Sequence, residues 1–133
     1  PFRPVKGKLP MPVAHSRVLE AFGSTNQETK ARRHGWLLQS REGQPVTAIH
    51  HGRVVFSDWL RGFGLVSILD HGDGYLSLYA NNQALFHDLG SWVNRGDVIA
   101  RSGRTSSNEE PTLYFEIRYK GRAQDPATWL KRR

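Results

Sequence analysis

The sequence predicts an all-β fold: an antiparallel β-sandwich of short strands with a groove. Three observations point there. Pro111 to Arg118 alternates strictly, with Leu113, Phe115 and Ile117 on one face and Thr112, Tyr114, Glu116 and Arg118 on the other. Similar β-branched and aromatic runs recur at a spacing of roughly 8–12 residues, separated by glycine turns. The length, 133 residues, suits one domain with a single modest core.

Residues 1–8 read as a basic, Pro-rich lead-in and 9–133 as the domain. Four prolines before residue 13 deny that stretch a regular helix. Ser16 to Phe22 is a short strand candidate, and Gly23 to about His34 a loop. Trp36-Leu37-Leu38 and Val46 to Ile49 are apolar runs around the turn Glu42-Gly43-Gln44-Pro45. Arg53 to Trp59, Leu65 to Leu69 and Tyr75 to Asn81 read as strands. They are joined by Arg61-Gly62-Phe63-Gly64 and by the tight connection Asp70 to Gly74. Short helical turns are expected near 82–89 and 126–130, the latter with Pro126 early in it. Gly90 to Asp97 reads as loop and turn, Val98 to Ala100 as a buried strand, and Gly103 to Pro111 as a polar loop.

Composition narrows the function classes. With no cysteine, disulfides and thiolate metal sites are excluded. No apolar run approaches the roughly 18–20 residues that span a bilayer as a helix. The chain opens on Pro1 without a signal-peptide pattern, as a fragment or processed product does. The net charge of +7 suits an anionic partner, although Lys30-Ala31-Arg32-Arg33-His34 and the terminal Lys131-Arg132-Arg133 read equally as solvated segments. Neither an RNP motif nor a helix-turn-helix pattern supports nucleic acid as that partner.

An ordered set of markers then carries a resemblance: Gly43-Gln44-Pro45-Val46, Gly52-Arg53-Val54, Gly62-Phe63-Gly64, Asp70 to Tyr75, Leu78-Tyr79-Ala80, Gly96 to Ile99, Leu113 to Glu116, and Asp125-Pro126. Together they resemble the LytM (M23) zinc endopeptidase family, over roughly residues 9 to 130. The resemblance implies that family's duplicated hybrid-motif fold. Its closing strand reads Pro-His-Leu-His-Phe-Glu, with one outward His on zinc and one in catalysis. The corresponding positions here are Thr112 and Tyr114. The other metal and catalytic positions fall on Arg33, Leu37 and Asn81, with His34 one place from the first.

That set is wrong for a metal. A catalytic zinc needs about three N, O or S donors at near 2.0–2.3 Å. Arg33 is permanently cationic, Leu37 has no lone pair, and a phenol such as Tyr114 titrates near pH 10. The remaining histidines do not replace them. His50 and His51 are adjacent and diverge in extended chain, His71 falls in the hairpin connection, and His15 and His87 lie in other loops. The expectation is a non-enzyme with neither metal nor cofactor.

Within the family, the resemblance is to degenerate members that do not cut peptidoglycan. They switch on periplasmic zinc-dependent N-acetylmuramoyl-L-alanine amidases at the division septum. It implies an amidase as partner and peptidoglycan as a second candidate. It also implies the FtsE–FtsX complex, reached through an upstream coiled coil that these 133 residues do not contain. The vacated groove is expected to hold His34, Leu37, Phe63, Val66, Tyr79, Asn81, Tyr114 and Arg118, an aromatic, aliphatic and cationic set of the kind enriched in protein hot spots. Period-2 geometry puts Ser77, Tyr79 and Asn81 on one face. Plainer readings stand beside these: Leu37 and Val66 as core, Tyr79 and Tyr114 as packed rings, and Arg118 as a partner of Glu116 or Glu109. Three rival functions also stand: a peptidoglycan-binding module without amidase activation, a metallohydrolase with unusual ligands, and a nucleic-acid binder.

Overall fold

The computed structural model describes residues 1–104 and 110–131, so part of the predicted 103–111 loop, including Glu109, and the basic end Arg132-Arg133 lie outside the described residues. Within them the chain is antiparallel β, as the alternation predicts. The strands are β1 (Val18–Glu20), β2 (Trp36–Gln39), β3 (Pro45–Thr47), β4 (Gly52–Leu60), β5 (Gly64–Gly72), β6 (Tyr75–Leu85), β7 (Trp92–Val93), β8 (Val98–Ser102), β9 (Thr112–Tyr119) and β10 (Arg122–Gln124). The sheet runs β1-β2-β9-β6-β5-β4-β7; β10 pairs with β9, and β8 pairs with both β3 and β6.

The meander β4–β5–β6 is the frame. Its second turn is Asp73-Gly74, both at positive φ (55° and 88°), as the two-residue turns that match strand twist require. β5 extends to Gly72, so His71 lies in a strand and not in the turn. β6 also differs from expectation. Its strand continues through 82–85, where a helical turn was predicted, because those residues pair with β8 (Asn82↔Ser102, Leu85↔Ala100). The buried Asn82 anchors the extension, its Nδ2 donating to the carbonyls of Leu65 and Tyr79. Trp92-Val93, expected as loop, pairs with Gly52-Arg53. The final turn is a 3-10 helix, Pro126–Thr128, whose N-cap Asp125 accepts from the Ala127 N–H.

The inward faces of β2, β6 and β9 meet in a core of Trp36, Leu38, Tyr79, Leu113, Phe115, Ile117 and Trp129, each at most 2% exposed. The lead-in packs onto this body. Phe2 is buried, stacked on His71 at 4.7 Å and tilted against Tyr75 and Trp129. Lys6 lies 5.1 Å from the Trp129 ring and Arg3 5.6 Å from that of Tyr119, so the cations of the lead-in cover aromatic faces.

A polar chain crosses this core. The Ile49 N–H donates to the Tyr79 hydroxyl (3.2 Å), Tyr79 to Ser77 Oγ (2.8 Å), and Ser77 to His71 Nε2 (2.7 Å). The chain ends with His71 Nδ1–H donating to the His51 carbonyl at 2.8 Å. A carbonyl only accepts, so Nδ1 must carry the proton, and every donor then finds an acceptor when the ring is neutral. Burial favours the same state, lowering the His71 pKa from 6.5 to about 4.

This sets a pH dependence. Above pH 6.5 the ring is neutral in both folded and unfolded chains, and its contribution to stability is complete. As the pH falls below 6.5, the unfolded chain takes up a proton that the folded chain refuses, and stability declines until about pH 4. The slope is about 1.4 kcal/mol per pH unit, or about 2 kcal/mol between pH 6.5 and 5. Urea midpoints measured across that range should fall more steeply for the wild type than for His71→Gln. Equal slopes would mean that this ring does not titrate as described.

Candidate groove

Along β6, Tyr75, Ser77 and Tyr79 point inward and are buried. Alternation alone would send residue 81 inward as well. Instead, Asn81 adopts φ 69°, in the left-handed region that asparagine tolerates better than most residues. The break shifts the phase of the strand, so that Ala80 and Asn81 both line a groove. Gly64 stands across from it, itself at φ +72° and with no side chain, where a Cβ would lie 3.5 Å from the Asn81 Cα.

The groove has a volume of about 660 Å³. β2, β6 and β9 contribute Leu37, Asn81, Thr112 and Tyr114; the β4–β5 turn contributes Gly62 and Phe63. The other wall is an arm formed by residues 23–34, closed on itself by the Thr25↔Arg32 bridge and by Asn26 Oδ1, which accepts from the Glu28 and Thr29 N–H groups. From this arm come Asn26, Thr29, Ala31, Arg32, Arg33 and His34, with Glu20 and Glu110 beside them. Sequence reasoning singled out only Arg33 and His34 from this wall, because a polar loop has no periodicity to read. Asn26 followed by Thr29 was the one local signal of an ordered turn.

The five positions Arg33, Leu37, Asn81, Thr112 and Tyr114 therefore converge on one groove. Arg33 pairs with Glu20. Asn81 Nδ2 donates to the Thr112 carbonyl (2.9 Å) and to Thr112 Oγ1 (3.0 Å), so two of the positions satisfy each other. The Tyr114 hydroxyl donates to Glu116 Oε2 at 2.5 Å, and Arg118 Nε donates to Oε1 at 2.6 Å. Burial, then that hydrogen bond, raises the Tyr114 pKa well above its ordinary value and holds the phenol neutral. The Arg118 pKa is raised, chiefly by its hydrogen bond to Glu116. An aliphatic chain, a guanidinium, a committed amide, a hydroxyl and a neutral phenol do not fit the donor set of a zinc site.

Three of the expected groove residues lie elsewhere. Tyr79 is fully buried, because it precedes the phase break and its hydroxyl belongs to the polar chain. Val66 is fully buried as well, at a register irregularity between Leu65 and Ser67. Arg118 lies beside the groove and not in its lining; it is held by Glu116 and by the Gly121 carbonyl at 3.0 Å. His34, Leu37, Phe63, Asn81 and Tyr114 do line it, and the rings of Phe63 and Tyr114 approach to 5.9 Å.

Two outcomes follow from these placements. Tyr79→Phe removes a hydroxyl that both Ile49 and Ser77 use, and should cost about 1–3 kcal/mol in urea unfolding. An unchanged midpoint would mean that the chain is dispensable. Excess zinc should leave the Tm of the domain where it was, whereas a bound ion would raise it by mass action.

Comparison with known proteins fits this geometry. The pattern of Peptidase family M23 matches residues 31–126. Murein hydrolase activator EnvC of Escherichia coli is 45% identical over 98 residues, covering 74% of this chain and 23% of that protein. Murein hydrolase activator NlpD of the same organism is 36% identical over 118 residues, covering 88% of this chain and 30% of that protein. The chain thus spans less than a third of the length of these curated relatives. Among solved structures, a zinc-containing peptidase from Vibrio cholerae superposes with a TM-score of 0.80 over 88% of this chain and 38% of that one, at 23% identity, a likeness of fold alone.

Proposed function

The chain belongs to peptidase family M23, and we propose that it is a non-catalytic member, the part of a murein hydrolase activator that engages the hydrolase. One observation carries this reading: Arg33, Leu37, Asn81, Thr112 and Tyr114, which the resemblance matches to the family's metal and catalytic groups, all line a single groove and are unsuited to zinc. The similarity to two proteins named murein hydrolase activators supports it. The enzyme activated is a zinc-dependent N-acetylmuramoyl-L-alanine amidase, in the periplasm and at the division septum. Attachment to FtsE–FtsX lies in a coiled coil upstream of these residues.

In mechanism, the groove receives a helix of the amidase that otherwise blocks the amidase's active site. Leu37, Ala31 and Phe63 offer apolar contact along it. Tyr114 is the anchor: with its hydroxyl tied to Glu116, its ring is held in one orientation before the partner arrives, so little side-chain entropy remains to be lost. The domain activates only by binding the open amidase more tightly than the closed one. Moving a 1:99 equilibrium to 99:1 takes about 5.5 kcal/mol of that difference, within reach of a few buried anchors.

The test is release of dye from labelled peptidoglycan by a purified periplasmic amidase, with and without this domain. Release should need both proteins. Leu37→Glu and Tyr114→Ala should abolish it while the Tm stays close to that of the wild type. Arg118→Glu is the poorer probe, because it sets a second carboxylate against the buried Glu116 and reports on folding. Activation by both groove variants at the wild-type level would sink the groove mechanism. Release by the domain alone would sink the non-catalytic reading.

A further inference from the structure

The far edge of the sheet carries a second site, about 20 Å from the groove along β5, given some six residues at ~3.3 Å each. β5, β4 and β7 run side by side there, with Asp70, Arg53 and Trp92 in lateral register. Laterally paired residues share a face. Their neighbours Leu69, Val54 and Val93 are buried, so this row faces outward. It borders a cleft of about 270 Å³ beside the side-chain-free Gly52, at the small end for ligand sites and too small for a helix.

The row is built and fixed. Trp92 is 64% exposed, so much of the indole surface is open to a ligand. Two side chains contact the ring: His51 stacks on it at 5.4 Å and 16°, and the Arg53 guanidinium lies over it, 5.8 Å from its centroid. Arg53 Nε also donates to the Gly90 carbonyl, and Asp70 Oδ1 accepts from the Gly72 N–H. Although Arg53 and Asp70 are register partners of opposite charge, neither forms an ion pair among the described residues. A carboxylate and a guanidinium thus stand side by side next to a largely exposed indole.

That combination suits one ligand chemistry. A pyranose ring has an apolar face of C–H bonds and an equatorial rim of hydroxyls. The first stacks on an indole, and the second takes hydrogen bonds from a guanidinium and gives them to a carboxylate. We propose that Trp92, Arg53 and Asp70 form a saccharide-binding platform, which takes a glycan strand at the opposite end of the sheet from the groove. The site stands independently of the groove reading. One domain would then hold the polymer at one edge while its other end remains open to a protein.

The experiment is titration calorimetry of the domain with chitotetraose, an N-acetylglucosamine oligomer without peptide, alongside co-sedimentation with murein sacculi before and after the stem peptides are removed. Binding should survive peptide removal and fall at least tenfold in Trp92→Ala and Arg53→Gln. Trp92→Phe, which keeps a flat ring, should retain most of it, and this guards against a loss caused by misfolding. Tyr114→Ala, in the groove, should bind as the wild type does, so failure of the groove mechanism and failure of this site remain distinguishable. Binding that requires stem peptides, persists in Trp92→Ala, or disappears in Tyr114→Ala would overturn the proposal.

Discussion

The left-handed residue in the middle of β6 is the constraint on which both the core and the groove depend. A strand with unbroken period 2 would commit residues 75, 77, 79 and 81 to one side. The φ of 69° at Asn81 ends that commitment after Tyr79. Three residues upstream of the break, Tyr75, Ser77 and Tyr79, feed the core and its polar chain, and Asn81 at the break faces the groove. The conformation costs about 1–2 kcal/mol in a residue with a Cβ. The Asn81 side chain offsets this by donating to the Thr112 backbone and hydroxyl, which also ties β6 to the start of β9.

Glu116 plays the corresponding part on β9. It is a nearly buried carboxylate, and an unpaired charge there would be costly. Tyr114 and Arg118, two residues to either side on the same face, each give it a hydrogen bond. The pairing answers the charge, and it also determines what the groove sees: the Tyr114 ring is presented and the Arg118 guanidinium is drawn away. Phe63 reaches the same ring from the β4–β5 turn. The sheet and the β4–β5 turn thereby line the groove with apolar and neutral groups, while its charges come from Arg32 and Arg33 on the arm and from Glu20 and Glu110 beside it.

Each end of the molecule is held by a different device. At the groove end, strand phase and a buried carboxylate orient the contact residues. At the other end, Phe2 covers His71, and a directed chain of hydrogen bonds links that ring to Tyr79 and Ile49. Because every hydroxyl in the chain both accepts and donates, its direction is determined by the carbonyl of His51 at its terminus. The exposed row of Asp70, Arg53 and Trp92 lies at this same end, where His51, whose carbonyl terminates the chain, stacks its ring on the indole.

The sequence by itself determined the antiparallel β character and the family, and it placed side chains poorly suited to zinc at Arg33, Leu37, Asn81, Thr112 and Tyr114. Alternation in 112–118 and the glycine turns are local patterns, and a ligand's chemistry belongs to its residue type wherever the residue sits. The same patterns misplaced Tyr79, Val66 and Arg118. Tyr79 follows perfect alternation, and the break that separates it from Asn81 depends on pairing with β5, β8 and β9, which no stretch of β6 encodes alone. The extension of β6 through 82–85 was missed for the same reason: its partner, β8, lies more than a dozen residues further on. Arg118 was legible as surface charge, but which way it turned depended on a carboxylate whose burial is a property of the whole sheet. Local chemistry could thus be read from the chain, whereas the side of the sheet on which a residue lies was decided by strands distant in sequence.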